Sequence, residues 1–538
     1  MGIFANPLTD LLEYEDFSRD FLKGTDPVGM TGCIDSEKVH FMSTFLGEKK
    51  VQLVVTYNEQ RAREIEEDYK LFCSQVYVIP PRDLIFFSAD LQGNAIIAER
   101  MKAFAALYQN EAKVIITTMD ALMSEAVPFE QLMSHVIKLK EGDELDLEKL
   151  KHDLTVMGYE RVGRVEEPGQ FTVHGGIADV YPLTMEVPVR IELWGDEIDT
   201  IRCFEPQSQR SMDQIESVSV FPAAEVIADD TARRRAVGMI KNELESQLAV
   251  FKKAKEPDKA KRLREETNRI LEALGEDVVL EAPDSYISYF YPRTVQLSEY
   301  FDEKNTLVFL DEPMRLKERG DGVQAEFEES MKNRLEQGFL LPGQTALLTP
   351  AKHVLAAFER GQVAALSSLD SRLADFTVVN SYAVNVQNMN TYREGFELLI
   401  KDLTHWKKEK YRIVLLCPSR TRANRIVNQL IEYDLLAYYS EDEDKKINPG
   451  EIMVTYGNLH RGFLYPMLKF AVITESDIFG VKKKKKEKKS HYQGQRISDF
   501  AQLKPGDYVV HENYGLGIYR GTERQIVDKV TKDYIKIE

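Results

Sequence analysis

Short β-branched runs alternate with amphipathic stretches along the first part of the chain. Lys50 to Thr56 (KVQLVVT) has the make-up of a buried parallel strand. Asn58 to Phe72 carries Ala62, Ile65, Tyr69 and Phe72 at three- and four-residue spacing, which predicts a helix with one apolar stripe. Val76 to Ile79 is a further strand, stopped by Pro80 and Pro81 because proline has no amide to donate. A helix near Ile96 to Tyr108 and the strand KVIITT (Lys113 to Thr118) continue the alternation. Strands alternating with helices predict an α/β layer with parallel pairing.

The texture changes after about Ala126. From Gly158 to Pro222 the chain reads as strands and turns (FTVHGGIADVYPL, VPVRIELWGDEIDTIRCF, SVSVFP), with Gly195-Asp196 as a hairpin turn between two alternating runs. Asp229 to Leu274 is strongly charged without strand signals, so one or two long helices are expected, broken or kinked at Pro257. Strand texture returns at Thr306 to Asp311 (TLVFLD), so the β-rich stretch interrupts the α/β layer. Another α/β unit runs from about Val384 to Gly480, with a helix ending near Trp406, the strand RIVLLCP, the helix SRTRANRIVNQLIEY and the strands EIMVTYG and FAVITES. A hydrophilic linker, Val481 to Gln495, holds seven lysines in the eight residues Lys482–Lys489. Beyond it DYVVHENYGLGIYRG predicts strand, turn and strand with Gly515 and Gly517 at the turn. The sequence stops in strand texture at DYIKIE, which reads as an unfinished small barrel.

Composition narrows the function. A chain of 538 residues should fold as about three to five units. Its 70 Lys+Arg against 88 Asp+Glu give a net charge of −18, which argues against a general nucleic-acid coat and confines any DNA contact to local patches. Cys33, Cys73, Cys203 and Cys417 lie far apart without CxxC or CxxxxH spacing, which leaves no legible zinc site or disulfide framework and fits a reducing compartment. No apolar run approaches the ~18–20 residues of a membrane span. The N-terminus is acidic rather than Lys/Arg-led, so no signal peptide is expected and a cytoplasmic protein with no membrane contact is the starting point.

Gly29-Met-Thr-Gly32-Cys-Ile-Asp-Ser-Glu-Lys38 precedes a predicted helix and has the outline of a phosphate-binding loop. That loop needs GxxxxGK[ST], so that amides close on the phosphates, the lysine reaches the outer ones and the hydroxyl holds Mg²⁺. Counted from Gly29, Ile34 and Asp35 stand where the second glycine and the lysine belong. Aligned on Gly32, Asp35 and Ser36 fall where the lysine and hydroxyl are sought, and Asp35 puts a carboxylate where triphosphate charge must sit. Two readings stay open, an ordinary strand–loop–helix corner or a P-loop module that has lost its phosphate site. Asp311-Glu312 directly after an apolar strand supports the second, since P-loop ATPases place their Mg²⁺-positioning and water-activating carboxylates there. No nucleotide binding is expected at this degenerate site. The nine histidines lack HExxH or HxH spacing and no GxSxG occurs, so no catalytic centre and no metal site is expected.

The block VEEPGQFTVHGGIADVYPLTMEVPVRIELWGDEIDTIRCFEPQSQRS resembles domain 2 of the excision-repair proteins UvrB and the transcription-repair coupling factors (Mfd). TYNEQRAREIEEDY and AERMKAFAALYQNEAKVIITTMDAL resemble their domain 1a, and TLVFLDEPMRLKE their domain 1b. RIVLLCPSRTRANRI through FAVITESDIFG is similar to the coupling factors' third domain, which UvrB lacks. GDYVVHENYGLGIYRG is similar to the start of their RNA-polymerase-interacting domain, shared with CarD-type regulators. The resemblance implies 1–126 as domain 1a, 127–222 as the β-rich UvrA-binding domain 2, 223–383 as domain 1b, and 384–480 as the third α/β domain. A Lys-rich linker, 481–495, and a truncated polymerase-interacting domain, 496–538, follow. The fold class expected is α/β multidomain: a degenerate P-loop (RecA-like) layer interrupted by a β-rich insert, a further α/β domain and the start of an SH3-like barrel.

By the same resemblance the chain is the N-terminal, adaptor part of a coupling factor, binding UvrA and the RNA polymerase β subunit to bring excision repair to polymerase stalled at DNA damage. The family's ATP- and Mg-dependent translocase, a hydrolase that contacts double-stranded DNA, lies downstream, so no cofactor and no catalytic residue is expected here; a monomer is expected. The stretch between Pro81 and Glu99 is too short for the DNA-clamping hairpin of UvrB. Period two puts Val189, Ile191 and Leu193 on one face and Arg190, Glu192 and Trp194 on the other. From the residues alone, Trp194 is either partly covered by a neighbouring loop or part of an interface. The resemblance implies the interface, with His174, Arg190 and Trp194 at the UvrA-binding positions and His174 standing where relatives commonly carry arginine. It also implies a polymerase-pairing strand edge with Val510, Glu512, Tyr514 and Ile518. The lysine run and Arg233, Arg234 and Arg235 are solvated surface or contacts to the DNA backbone. The alternatives in other classes are a UvrB-like DNA-damage ATPase/helicase subunit and a CarD-like polymerase-binding regulator.

Overall fold

The computed structural model describes residues 7–82, 93–275, 283–370, 376–392, 395–442, 445–479, 508–511, 515–527 and 530–537. They form two compact units, Met1–Val481 and Lys482–Glu538. The first is centred on a seven-stranded, wholly parallel sheet. Its strands lie in the order Asn380–Ala383, Val28–Thr31, Val363–Ser367, Thr306–Asp311, Val51–Thr56, Val114–Thr118, Val76–Ile79. Val51–Thr56 is buried on both faces except at its first residue, as its β-branched run predicts. The helix Glu59–Tyr69 follows it, capped by the Asn58 side chain, which accepts from the Arg61 amide at 2.7 Å. Since Thr306–Asp311 pairs with Val51–Thr56, one sheet receives chain from both sides of the β-rich insert.

Helices cover both sheet faces. Gly93–Tyr108, Pro313–Glu336 and the pair Asp230–Ala254 and Pro257–Gly275 supply residues to one core. Pro257 opens the second member of that pair, where a missing amide costs nothing, so the chain breaks there as its sequence predicts. Leu12–Lys23, Asp35–Ser43 and Glu59–Tyr69 build the opposite core. That core runs on without a gap into a second sheet through Val414, Leu416, Phe463, Tyr465, Phe470 and Val472. The second sheet is ordered Gln387–Asn388, Phe463–Tyr465, Phe470–Thr474, Arg412–Cys417, Ile452–Tyr456, Ala437–Tyr439, with four parallel strands and an antiparallel edge.

The insert folds into six strands, Ser211–Gln214, Glu197–Phe204, Val189–Trp194, Ile177–Val180, Gln170–His174 and Glu160–Arg161 in that order. Its inner face packs Phe171, Val173, Ala178, Val180, Val189, Ile191, Ile198 and Ile201 against Leu150 and Leu154 of the helix Leu147–Val156. The second unit contains an antiparallel sheet of Tyr508–His511, Gly515–Val527 and Val530–Ile537. Here the sequence reading needs correcting. Gly515 and Gly517 lie in the second strand, opposite His511 and Val509, and not at the turn. The residues joining the two strands, Glu512 and Tyr514 among them, lie outside the described ones. Among the described residues no helix is long and apolar enough to cross a membrane.

Candidate functional site

At the turn with the outline of a phosphate loop, Gly29 belongs to the strand Val28–Thr31 and only Gly32 sits in the turn itself, at φ +83°. A Cβ on Gly32 would stand 2.0 Å from the Val384 carbonyl oxygen, because the chain that leaves the first sheet for the second crosses directly over the loop. The Val384 amide donates to Thr31 O at 2.8 Å and holds it there. Asp35 does not reach the carboxylates at the strand end. It is partly exposed, with Arg461 Nη1 3.7 Å from its Oδ2.

The blocking charge is positive rather than negative, which reverses the sequence expectation of a lysine-less loop. Lys38, in the first turns of the helix Asp35–Ser43, places Nζ 2.6 Å from Asp311 Oδ1 and 2.6 Å from Glu312 Oε1. The Lys38 and Asp311 side chains are 3% and 2% exposed, so the pair is dry. Thr56 Oγ1 donates to Asp311 Oδ2 at 2.8 Å, and Arg61 Nε lies 3.4 Å from the same oxygen. Burial alone would push the Asp311 carboxyl up, but Lys38 and Arg61 outweigh it and hold it at about 2. Lys38 is raised in turn, since the two carboxylates outweigh its own burial. Both carboxylates are thus neutralised from within the protein. Counted from Gly32, Lys38 and not Asp35 stands at the seventh position, where GxxxxGK[ST] has its lysine, so the sequence reading set the loop out of register; its partner Asp311 is 273 positions away.

The second sheet closes the same region from outside. The loop before Phe463–Tyr465 lays the His460 amide on Asp68 Oδ1 and the Arg461 amide on Ser36 Oγ at 2.9 Å. Tyr465 Oη donates to Glu37 Oε1 at 2.6 Å and lies 3.1 Å from His40 Nδ1. Burial raises Glu37 to about 7 and Asp68 to about 6, against the hydrogen bonds that favour their charged forms. What remains beside the loop is a packed interface.

The outer face of the insert is open at its Trp194 end, while Thr172 and Asp179 further along it are buried. Thr172, Asp179, Arg190 and Arg202 stand opposite one another across four strands, and His174, Ile177, Glu192 and Thr200 form the next row. Trp194 lies beyond them, opposite Glu197, and is 84% exposed, so no neighbouring loop covers it. His174, Arg190 and Trp194 therefore share one face, which alternation predicts for Arg190 and Trp194. Arg190 is nevertheless committed. Its Nε and Nη2 bind Asp179 at 2.8 and 2.7 Å, and its guanidinium lies 4.8 Å from the Phe204 ring centre. Sequence reasoning missed Asp179 and the exposed Ile177, which share rows with these residues.

In the second unit Val510 pairs with Leu516 and Tyr508 with Ile518. Arg233, Arg234 and Arg235 are tied by their guanidinium groups to the carbonyls of Ala228, Asp230 and Phe290. The lysine run lies outside the described residues.

Known proteins resemble the chain in the same order. Residues 137–225 match the UvrB interaction domain, 405–478 the MFD D3 domain, and 503–538 the CarD-like/TRCF RID domain. These define a multidomain α/β protein built around a UvrB-type interaction domain. The transcription-repair-coupling factor of Bacillus subtilis is 30% identical over 540 residues, covering 99% of this chain and 45% of the relative. Those of Staphylococcus epidermidis and Staphylococcus haemolyticus are 28% and 29% identical, over 100% and 96% of this chain and 45% and 44% of the relatives. The chain is thus similar to the transcription-repair-coupling factors along nearly its whole length and spans less than half the length of these relatives.

Proposed function

We propose that this chain is an adaptor in transcription-coupled nucleotide excision repair. It docks UvrA on the outer face of the insert sheet and the RNA polymerase β subunit on the sheet of the second unit, and so recruits repair to polymerase stalled at a lesion. The polymerase contact is β-augmentation, in which main-chain bonds carry the affinity. Polymerase release by ATP-driven translocation belongs, in this reading, to the part of the family outside the shared 45%. The observation that carries the UvrA assignment is Trp194, a large aromatic 84% exposed on the face shared with His174 and Arg190. Trp and Arg dominate interface hot spots, and Trp194→Ala should cost about 2 kcal/mol of UvrA affinity. Trp194 is the clean probe, since Arg190→Ala would also strand Asp179, 8% exposed in side chain. A pull-down of UvrA at wild-type strength by Trp194→Ala would discard the assignment.

The Lys38 pair weighs against the alternative of an active UvrB-like ATPase, because a triphosphate and its Mg²⁺ would have to displace a buried ion pair. Titration of the chain with ATP and Mg²⁺ should give no saturable heat. Polymerase binding with no UvrA binding would favour the CarD-like alternative.

A further inference from the structure

The helices Asp230–Ala254 and Pro257–Gly275 meet at an elbow of two residues, Lys255 and Glu256, with Lys255 in the left-handed region at φ 59°. A cleft of about 450 Å³ opens at this elbow. Leu248, Phe251 and Ala260, buried or half-buried, give it an apolar floor, and the exposed Lys252, Lys255, Lys261 and Arg264 surround it. The stretch from Lys252 to Arg264 holds seven basic residues against two acidic ones, in a chain of net charge −18. Some of that charge is spent locally: Lys259 lies 2.8 Å from Glu256, Lys261 is 3.9 Å from Glu265, and Arg262 stacks on Phe339. Among the described residues no carboxylate pairs with Lys252, Lys253, Lys255 or Arg264.

We propose that the elbow is a docking cleft for a short acidic peptide segment of a partner protein, carrying an apolar side chain. The apolar side chain seats on Leu248, Phe251 and Ala260, and flanking carboxylates meet Lys252, Lys255 and Arg264. Charge complementarity selects an anion, and two features select a peptide over a nucleic-acid duplex. The floor is concave and apolar, whereas a duplex presents a wide, convex and fully charged backbone. A long polyanion also feels the field of the whole acidic molecule, while a short segment is governed by the nearest cations. The surface lies on other elements than the insert sheet and the terminal sheet, so it stands or falls independently of the UvrA and polymerase assignments.

The test is fluorescence anisotropy with the whole chain and a fluorescein-labelled peptide of Glu and Asp around one central Phe. Saturable binding that weakens with salt is expected, reduced about tenfold or more by the double substitution Lys255→Glu and Arg264→Glu, since juxtaposed like charges repel. Replacing the peptide's Phe by Ser should weaken it as well. All four rim cations are exposed, so an unchanged far-UV spectrum should accompany the loss; Lys255→Gln with Arg264→Gln gives a milder second variant with the same direction. Absence of saturable binding, binding indifferent to both variants, or displacement of the peptide by a short DNA duplex at matched charge would overturn the proposal.

Discussion

Lys38 gives Asp311 and Glu312 the positive charge that a metal ion supplies in P-loop ATPases. Removing one partner of a buried pair leaves the other charge uncompensated, so Lys38→Ala should lower stability by about 3–5 kcal/mol in chemical denaturation. The Asp311 carboxyl sits at about 2, below its unfolded value of about 3.9. Its contribution is therefore complete above roughly pH 4 and is lost as the pH falls toward 2. Acid unfolding monitored in that window should be shifted to higher pH in Lys38→Met, which cannot hold the carboxylate. Trp194→Ala, by contrast, should stay within about 0.5 kcal/mol of wild-type stability, because almost none of the ring is buried. At this scale the sequence is only partly legible. Alternation shows the face on which Trp194 stands, but an ion pair spanning 273 positions leaves no periodic trace.

Among elements, the loop from 457 to 463 is pressed against the helices Asp35–Ser43 and Glu59–Tyr69. Glu37 and Asp68 beneath it have folded values of about 7 and 6, above the usual carboxylate range. A raised carboxyl favours the folded state when protonated, so docking of this loop is strongest at low pH and weakens as the pH rises through 6 and 7. Amide exchange in 457–463, corrected for intrinsic rates, should be slower at pH 5.5 than at pH 8. Helix packing makes a second demand at Gly320, where an added Cβ would meet Ala351 Cβ at 2.7 Å and Met119 Cε at 3.0 Å. Gly320→Ala should therefore destabilise by about 1–3 kcal/mol, although alanine is the better helix former. The sequence reading did not mark the helix Pro313–Glu336. Its close approach to Ala351 is a tertiary fact, and of the two glycines in this charged helix nothing in the sequence marks Gly320 over Gly322.

For the molecule as a whole, the interruption of the first sheet was legible because Thr306–Asp311 restores strand texture after a long charged stretch. The merging of the second sheet into the first core was not, since each sheet's strands look complete by themselves. Phe463, Tyr465 and Phe470 share one buried cluster with Phe41, His40 stacks on Phe463, and the Tyr465–Glu37, His460–Asp68 and Arg461–Ser36 hydrogen bonds tie the two modules beside it. A fragment ending at residue 386, which keeps the edge strand Asn380–Ala383, should therefore bind a hydrophobic dye and melt well below the intact chain. If it melts at the same temperature, the two modules are energetically separate.

The crossing of Val384 over Gly32 bears on history as well as on stability. A single substitution that freed the carboxylates would still leave the loop roofed by the polypeptide. A single change that lifted the roof would leave the lysine in place. Each step alone unsettles the molecule and restores nothing that selection could reward. Phosphate binding at this turn is held behind a ratchet that only both changes together release.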